Sequence, residues 1–274
     1  MTDPVISVTD ALRQHGAAGT VFLDATWTFQ GGPQPRVAGY IPGARPIDID
    51  VVKDETSPLP HMLPPPDVFE RHARALGVDR DSELIVYDRM GLFSAARVWW
   101  MFRAMGHETV RVLSGGLPLW LAEGGALEAV PAETWPEGDF SADFQPHRVA
   151  GREAVLDAIA SGTHQILDAR PAARFAGHMA EPRPGMRSGH MPGALNLPFT
   201  GLLDAHGRLI ADKIGFHDAG LREDATVITT CGSGVTACIL ALGLERLGRT
   251  AAVYDGSWAE WGSRSDTPIE TGQD

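Results

Sequence analysis

The feature that most limits how this chain can fold is that its second half repeats the order of its first. Leu23-Asp-Ala25 returns as Leu167-Asp-Ala169, Ile41-Pro-Gly-Ala44 as Met191-Pro-Gly-Ala194, Ile85-Val-Tyr87 as Val227-Ile-Thr229, and Val112, Gly115 and Trp120 as Val253, Gly256 and Trp261. The offsets are 144, 150, 142 and 141 residues, nearly constant apart from one insertion ahead of Met191. That period is far longer than the roughly 20–50 residues of a solenoid repeat, so it marks a duplicated domain. A chain of 274 residues is long enough for each copy to bury a core of its own.

Within each half, short β-branched runs alternate with helical periodicity. In the first half the pattern predicts a helix over 5–15, a strand over 20–25, a helix over 67–76 with Asp67 as cap and Gly77 as terminator, a strand over 84–87, a helix over 94–105 and a strand over 109–113. Trp99, Trp100, Met101 and Phe102 read as core. Alternation of this kind predicts an α/β fold, each domain a mainly parallel sheet covered by helices on both faces. The Pro-, Glu-, Asp- and Gly-rich segment 131–146 reads as a linker, which gives domains at 1–130 and 147–274.

The duplication is not chemically symmetric. In the second half the run Val227-Ile-Thr-Thr230 ends at Cys231, followed by Gly232, Ser233, Gly234, Val235 and Thr236 before helical spacing resumes. Small residues at a strand-to-helix junction let the backbone turn several N–H groups inward, and with the helix dipole they favour an anion at that point. A thiolate is such an anion, so Cys231 is expected to be a nucleophile at neutral pH. In parallel sheets ligands gather at the carboxyl ends of strands, where Cys231 is expected to sit. The first half has no cysteine around 87–94 and is expected to serve structurally.

The loop Cys231-Gly-Ser-Gly-Val-Thr-Ala237, with the tandem organisation extending from Leu23-Asp-Ala to Trp261, resembles the mercaptopyruvate sulfurtransferases of the rhodanese superfamily. The resemblance implies two tandem rhodanese-like domains, only the second of them catalytic. It implies sulfur transfer from 3-mercaptopyruvate through a Cys231 persulfide, with release of pyruvate and delivery to a thiol, such as thioredoxin or a low-molecular-weight thiol, or to cyanide. Arg174, just ahead of an irregular segment over 175–193, and Arg183, nine residues on and within it, match the family's two carboxylate-holding arginines; Arg187 does not. Asp50, His61 and Ser233 fall on its proton-relay positions, and Gly232, Gly234, Val235 and Thr236 would supply main-chain contacts to the transferred sulfur. Ser188-Gly-His190-Met-Pro-Gly-Ala194 looks like a family signature, but its Pro-Gly most simply shapes a turn.

Competing chemistries are weighed on residues. A cysteine phosphatase needs Cys-x5-Arg, and position 237 is Ala. Enzymes that prefer thiosulfate carry basic residues directly after the cysteine, where Gly232 and Ser233 are neutral; thiosulfate sulfurtransferase is therefore the second reading and a non-catalytic sulfur carrier the third. No organic cofactor or metal is expected, since the ten histidines show no H-x3-H pairing and no C-x-x-C exists. A formal net charge of −12 argues against nucleic acid or an anionic membrane as partner. The lack of a secretory or membrane-spanning pattern, and just two cysteines, make cytoplasmic residence the expectation. Cys238, seven positions past Cys231, is expected to pack in the core, with a redox switch as the alternative.

Overall fold

A computed structural model describes residues 3–29, 32, 34–131, 134–210 and 212–272. Two compact units are present. The first takes residues up to 55, 63–145 and 203–209; the second takes 56–62, 146–202 and 210 onward.

In the first unit the order is β1 (Val5–Ile6), α1 (Val8–Gln14), β2 (Thr20–Asp24), β3 (Arg45–Pro46), α2 (Pro66–Ala75), β4 (Glu83–Tyr87), α3 (Ala95–Ala104), β5 (Val110–Leu113) and α4 (Gly116–Ala122). The second repeats it with β6 (Val149–Ala150), α5 (Arg152–Ser161), β7 (His164–Asp168), α6 (Ala172–Phe175), β8 (Leu195–Asn196), α7 (Lys213–Asp218), β9 (Thr226–Thr230), α8 (Ala237–Arg246), β10 (Ala252–Tyr254) and α9 (Ser257–Trp261). Each unit holds a five-stranded sheet, ordered β1-β5-β4-β2-β3 and β6-β10-β9-β7-β8. Every strand pairing in both sheets is parallel. β4 and β9 are apolar or β-branched along almost their whole length because both their faces are covered.

The helices after these strands are unusually deep. α3 is buried from Ala95 to Ala104 and α8 from Ala237 to Glu245. Trp99, Trp100, Met101 and Phe102 are each 1% exposed or less, so that aromatic run is core. The two apolar clusters are built alike, Ile41, Ile85, Leu117 and Trp120 in one standing where Met191, Ile228, Trp258 and Trp261 stand in the other.

Three local expectations are corrected. The segment 5–15 is not one helix: Val5 and Ile6 pair with Val112 and Leu113, because long-range pairing outweighs local propensity. The helix starts after Ser7, whose hydroxyl accepts the Asp10 amide at 3.1 Å and donates to the Asp10 carboxylate at 2.7 Å. Asp67 lies inside the first turn of α2 rather than capping it; Pro65 holds the cap position and Pro66 the first turn. Strand register also changes one offset. β2 aligns Thr20 with Glu83 and β7 aligns His164 with Thr226, so β4 and β9 are 143 apart rather than 142, and Asp88 occupies the place of Cys231.

Of the segment 131–146, Ala132 and Glu133 lie outside the described residues. Its later part packs on the first unit: the Phe140 amide donates to Val78 O at 3.1 Å, and its ring, 1% exposed, lies 5.8 Å from those of Phe69 and Phe102. Burying that ring is worth about 1.5–3 kcal/mol, enough to tie the segment down. No described helix is long and apolar enough to cross a membrane.

Candidate active site

β9 delivers Cys231 at its carboxyl end, and residues 232–236 form an irregular turn before α8. Gly234 takes φ +75, a left-handed conformation that a side chain disfavours and that curls the loop back on itself. Cys231 is 2% exposed and Ser233 7%. Among the described residues, the N–H groups of Gly232, Ser233, Val235 and Thr236 have no protein acceptor. Cys238 is fully buried, and its thiol donates to Gly234 O at 3.2 Å, so it packs in the core and steadies the loop.

The first unit shows what such a loop holds. Ala25 N donates to Tyr87 O as Ala169 N does to Thr230 O, both at 2.8 Å, and Leu117 N donates to Asp88 O as Trp258 N does to Cys231 O, both at 3.0 Å. Asp88 is therefore the counterpart of Cys231. Its carboxylate, with no exposed surface, accepts the amides of Met90 at 2.9 Å, Phe93 at 2.7 Å, and Ser94 and Ala95 at 3.0 Å. Burial, the largest effect, holds this carboxyl's pKa above its ordinary value, against the four amide bonds that lower it. A strand–loop–helix junction of this shape thus converges main-chain donors on an anion one residue past the strand. In the second unit a sulfur atom stands at that position.

A buried hydroxyl fixes the cysteine's own backbone. Ser257 Oγ accepts the Cys231 amide at 3.2 Å and donates to Tyr254 O at 2.7 Å. Ser257 has φ +47, where the first unit has Gly116 at φ +56. A non-glycine residue there costs about 1–2 kcal/mol, and its compensation is the hydroxyl on Cys231. Ser257→Gly is expected to leave thermal stability within about 1 kcal/mol of the parent while lowering kcat/KM by about 3–10-fold, measured by melting and steady-state kinetics side by side. The sequence signal for Ser257 was available, as a serine in the repeat opposite Gly116.

Arg174 lies in the short α6 and brings its guanidinium to the loop: a β-carbon built on Gly232 would lie 3.2 Å from Nη2 and 4.0 Å from Nη1. Glu181, its side chain 1% exposed, accepts from Arg174 Nε at 3.2 Å and from Nη2, and also from Arg170 Nη1 at 2.8 Å. Arg170 in turn grips Asp168 through Nε at 2.9 Å and Nη2 at 2.6 Å, bonds Gly189 O at 2.9 Å and lies over the Trp258 ring at 4.1 Å. Its pKa is raised overall, the two carboxylates outweighing the downward effect of burial. Arg170 and Glu181 were not singled out from sequence, because nothing in their spacing says that they pair.

Arg183 is half-buried on the same irregular segment. Arg187 bonds Trp261 O and Thr267 Oγ1, which makes it structural. The Pro-Gly-Ala turn is structural too: Ala194 N donates to Met191 O as Ala44 N does to Ile41 O, and His190 Nδ1 lies 2.9 Å from Phe175 O. Of the three relay residues, Ser233 and His61 belong to the second unit. His61 is 3% exposed and holds φ +59, a strained conformation of the sort that clusters at functional sites. Asp50 belongs to the first unit, where its carboxylate accepts the Trp27 indole N–H at 2.7 Å.

Comparison with known families matches the rhodanese-like domain twice, over residues 7–123 and 152–264. The chain belongs to the rhodanese family. Among its relatives, the 3-mercaptopyruvate sulfurtransferase of Escherichia coli K12 is 48% identical over 240 residues, 86% of this chain and 85% of that one. A human 3-mercaptopyruvate sulfurtransferase is 38% identical, covering 94% and 90% of the two chains. An Arabidopsis thaliana mitochondrial thiosulfate/3-mercaptopyruvate sulfurtransferase is 41% identical, covering 98% and 79%. The crystal structure of SseA, the E. coli 3-mercaptopyruvate enzyme, superposes with a TM-score of 0.83 at 40% identity, over 94% of this chain and 99% of that one. The sulfurtransferase activity of this rhodanese-family chain and its two-domain α/β architecture follow from these matches together with the paired parallel sheets.

Proposed function

We propose that the chain transfers sulfur from 3-mercaptopyruvate through a persulfide on Cys231. The observation that carries this reading is a guanidinium, Arg174, set against a loop whose own residues, Gly232 and Ser233, bear no charge. Arg174 in α6, with Arg183 nine residues further on, holds the donor carboxylate by charge-assisted hydrogen bonds. The Cys231 thiolate attacks the donor sulfur; an S–S bond forms, the C–S bond breaks, and its electron pair goes to carbon as the enolate of pyruvate, which takes a proton. The amides of residues 232–236, with Gly234 in its left-handed turn, stabilise the anionic outer sulfur, as amides stabilise the Asp88 carboxylate. Ser233 and His61, both of the second unit, move protons to and from the donor. An acceptor thiol, on thioredoxin or a small molecule, or cyanide, then takes the outer sulfur and restores the thiolate.

Support for the donor comes from the E. coli and human relatives, each named for 3-mercaptopyruvate. The Arabidopsis relative is named for thiosulfate as well, which keeps thiosulfate as the second reading. Steady-state kcat/KM with both donors decides between them, with mercaptopyruvate expected to lead and a large thiosulfate preference reversing the order. Arg174→Ala is expected to lower kcat/KM for mercaptopyruvate about 10- to 100-fold, the worth of a charged hydrogen bond; an unchanged value would remove Arg174 from the site.

A further inference from the structure

We infer that Glu181 sets the donor preference of this site, by cancelling the charge of Arg174 and fixing its guanidinium over Gly232; this rests on Arg174 being a ligand of the donor carboxylate. Glu181 bonds Arg170 and Arg174, and acts through Arg174 as a positioning residue. Its carboxylate is 1% exposed and shared between Arg170 and Arg174, so it cannot swing away to solvent. Arg170 is itself 1% exposed and held by Asp168 on its other edge. Asp168, Arg170, Glu181 and Arg174 therefore alternate in sign and sum to zero, ending at the guanidinium beside Gly232.

A donor reaching Arg174 meets directed N–H groups, Nη1 foremost because Glu181 takes Nε and Nη2, but little net positive potential. A carboxylate is planar and gains from such directed bonds. A compact dianion such as thiosulfate gains chiefly from net charge, and Glu181 has already offset it. The neutral Gly232 and Ser233 act in the same sense, and Gly232 leaves room for the arginine: any β-carbon there would crowd Nη2 at 3.2 Å.

Glu181→Gln keeps the shape and removes the charge. It is expected to raise the ratio of kcat/KM for thiosulfate to that for mercaptopyruvate by about tenfold, since the two donors differ by one unit of charge in a partly screened site. Glu181→Asp keeps the charge and is expected to keep the native ratio even if both rates fall. Parallel loss for both donors in Glu181→Gln, or an equal shift of the ratio in Glu181→Asp, overturns the inference. Arg174→Ala, measured alongside, separates the two levels: if it loses mercaptopyruvate turnover while Glu181→Gln moves both donors together, only the role of Glu181 falls, whereas no effect of Arg174→Ala removes the underlying reading as well. A second readout compares the parent with Glu181→Gln by alkylating Cys231 with iodoacetate and with iodoacetamide, followed by mass spectrometry: added salt is expected to slow iodoacetate more steeply in Glu181→Gln than in the parent, with iodoacetamide alike in both. The same salt dependence of iodoacetate in the two proteins would overturn the inference.

Discussion

Cys231→Ser is expected to abolish sulfur transfer, lowering turnover by on the order of 10^4-fold or more, as loss of a nucleophile does elsewhere, while leaving the fold intact. The fold survives because the backbone contacts of position 231, its amide on Ser257 Oγ and its carbonyl receiving the Trp258 amide, do not involve the sulfur. Transfer fails because a serine oxygen is weakly nucleophilic at neutral pH and cannot form the S–S bond on which the proposed cycle depends. Mass spectrometry after incubation with 3-mercaptopyruvate checks both halves: the parent protein gains the mass of one sulfur atom at position 231 and the variant gains none. Turnover within an order of magnitude of the parent, or the added sulfur on Cys238, would sink the assignment. The latter is not expected of a thiol with no exposed surface that is already bonded to Gly234 O.

Asp88→Asn should be the most destabilising conservative change in the first unit, by about 3–5 kcal/mol, with Asp88→Ala at least as damaging. The carboxylate is the common acceptor for the Met90, Phe93, Ser94 and Ala95 amides. Asparagine offers one oxygen in place of two and points an NH2 at donors, so at least one buried amide is left without an acceptor. A loss of that size lowers the melting temperature by roughly 10 °C. Hydrogen exchange should locate it: the amides of residues 93–95 exchange faster while those of β9 and β10 do not. A variant that melts and exchanges like the parent would show that the convergence of amides on Asp88 carries no free energy.

The two expectations share one cause. Both units place a short irregular loop between a buried strand and a buried helix, and both direct backbone donors to a point one residue past the strand. In the first unit the chain supplies the anion from its own side chain, which makes the loop a permanent structural element. In the second it supplies a cysteine, and the proposed chemistry supplies the anion as a transferable sulfur. Asp88 thereby shows how the first loop is filled by the chain itself, which a missing cysteine alone does not.

Much of this was legible in the residues. The recurrence of Leu-Asp-Ala, Pro-Gly-Ala and the Gly-to-Trp spacing fixes two homologous α/β halves, because each landmark marks a buried strand end or turn that the fold cannot relocate. The Gly-Ser-Gly spacer after Val227-Ile-Thr-Thr230 identifies the loop at Cys231, since few other residues tolerate such a turn. What stayed hidden depended on contacts between residues distant in sequence. A strand of two residues at Val5–Ile6 is invisible to local periodicity because its stabilisation comes from β5, more than a hundred positions away. The one-residue difference in register that sets Asp88 opposite Cys231 needs the pairing of β4 with β2 and of β9 with β7.

By itself the sequence determined the duplicated parallel-sheet architecture and the loop that carries the cysteine, because local backbone preference and hydrophobic period are properties of neighbouring residues; the two arginines to consider came from the family resemblance. Tertiary structure alone decided that Ser257 holds the cysteine's amide, that Asp88 fills the first loop and that Glu181 balances Arg174. Hydrogen bonds and charge pairs are short-ranged in space and indifferent to separation along the chain, so their partners are known only once the chain has folded.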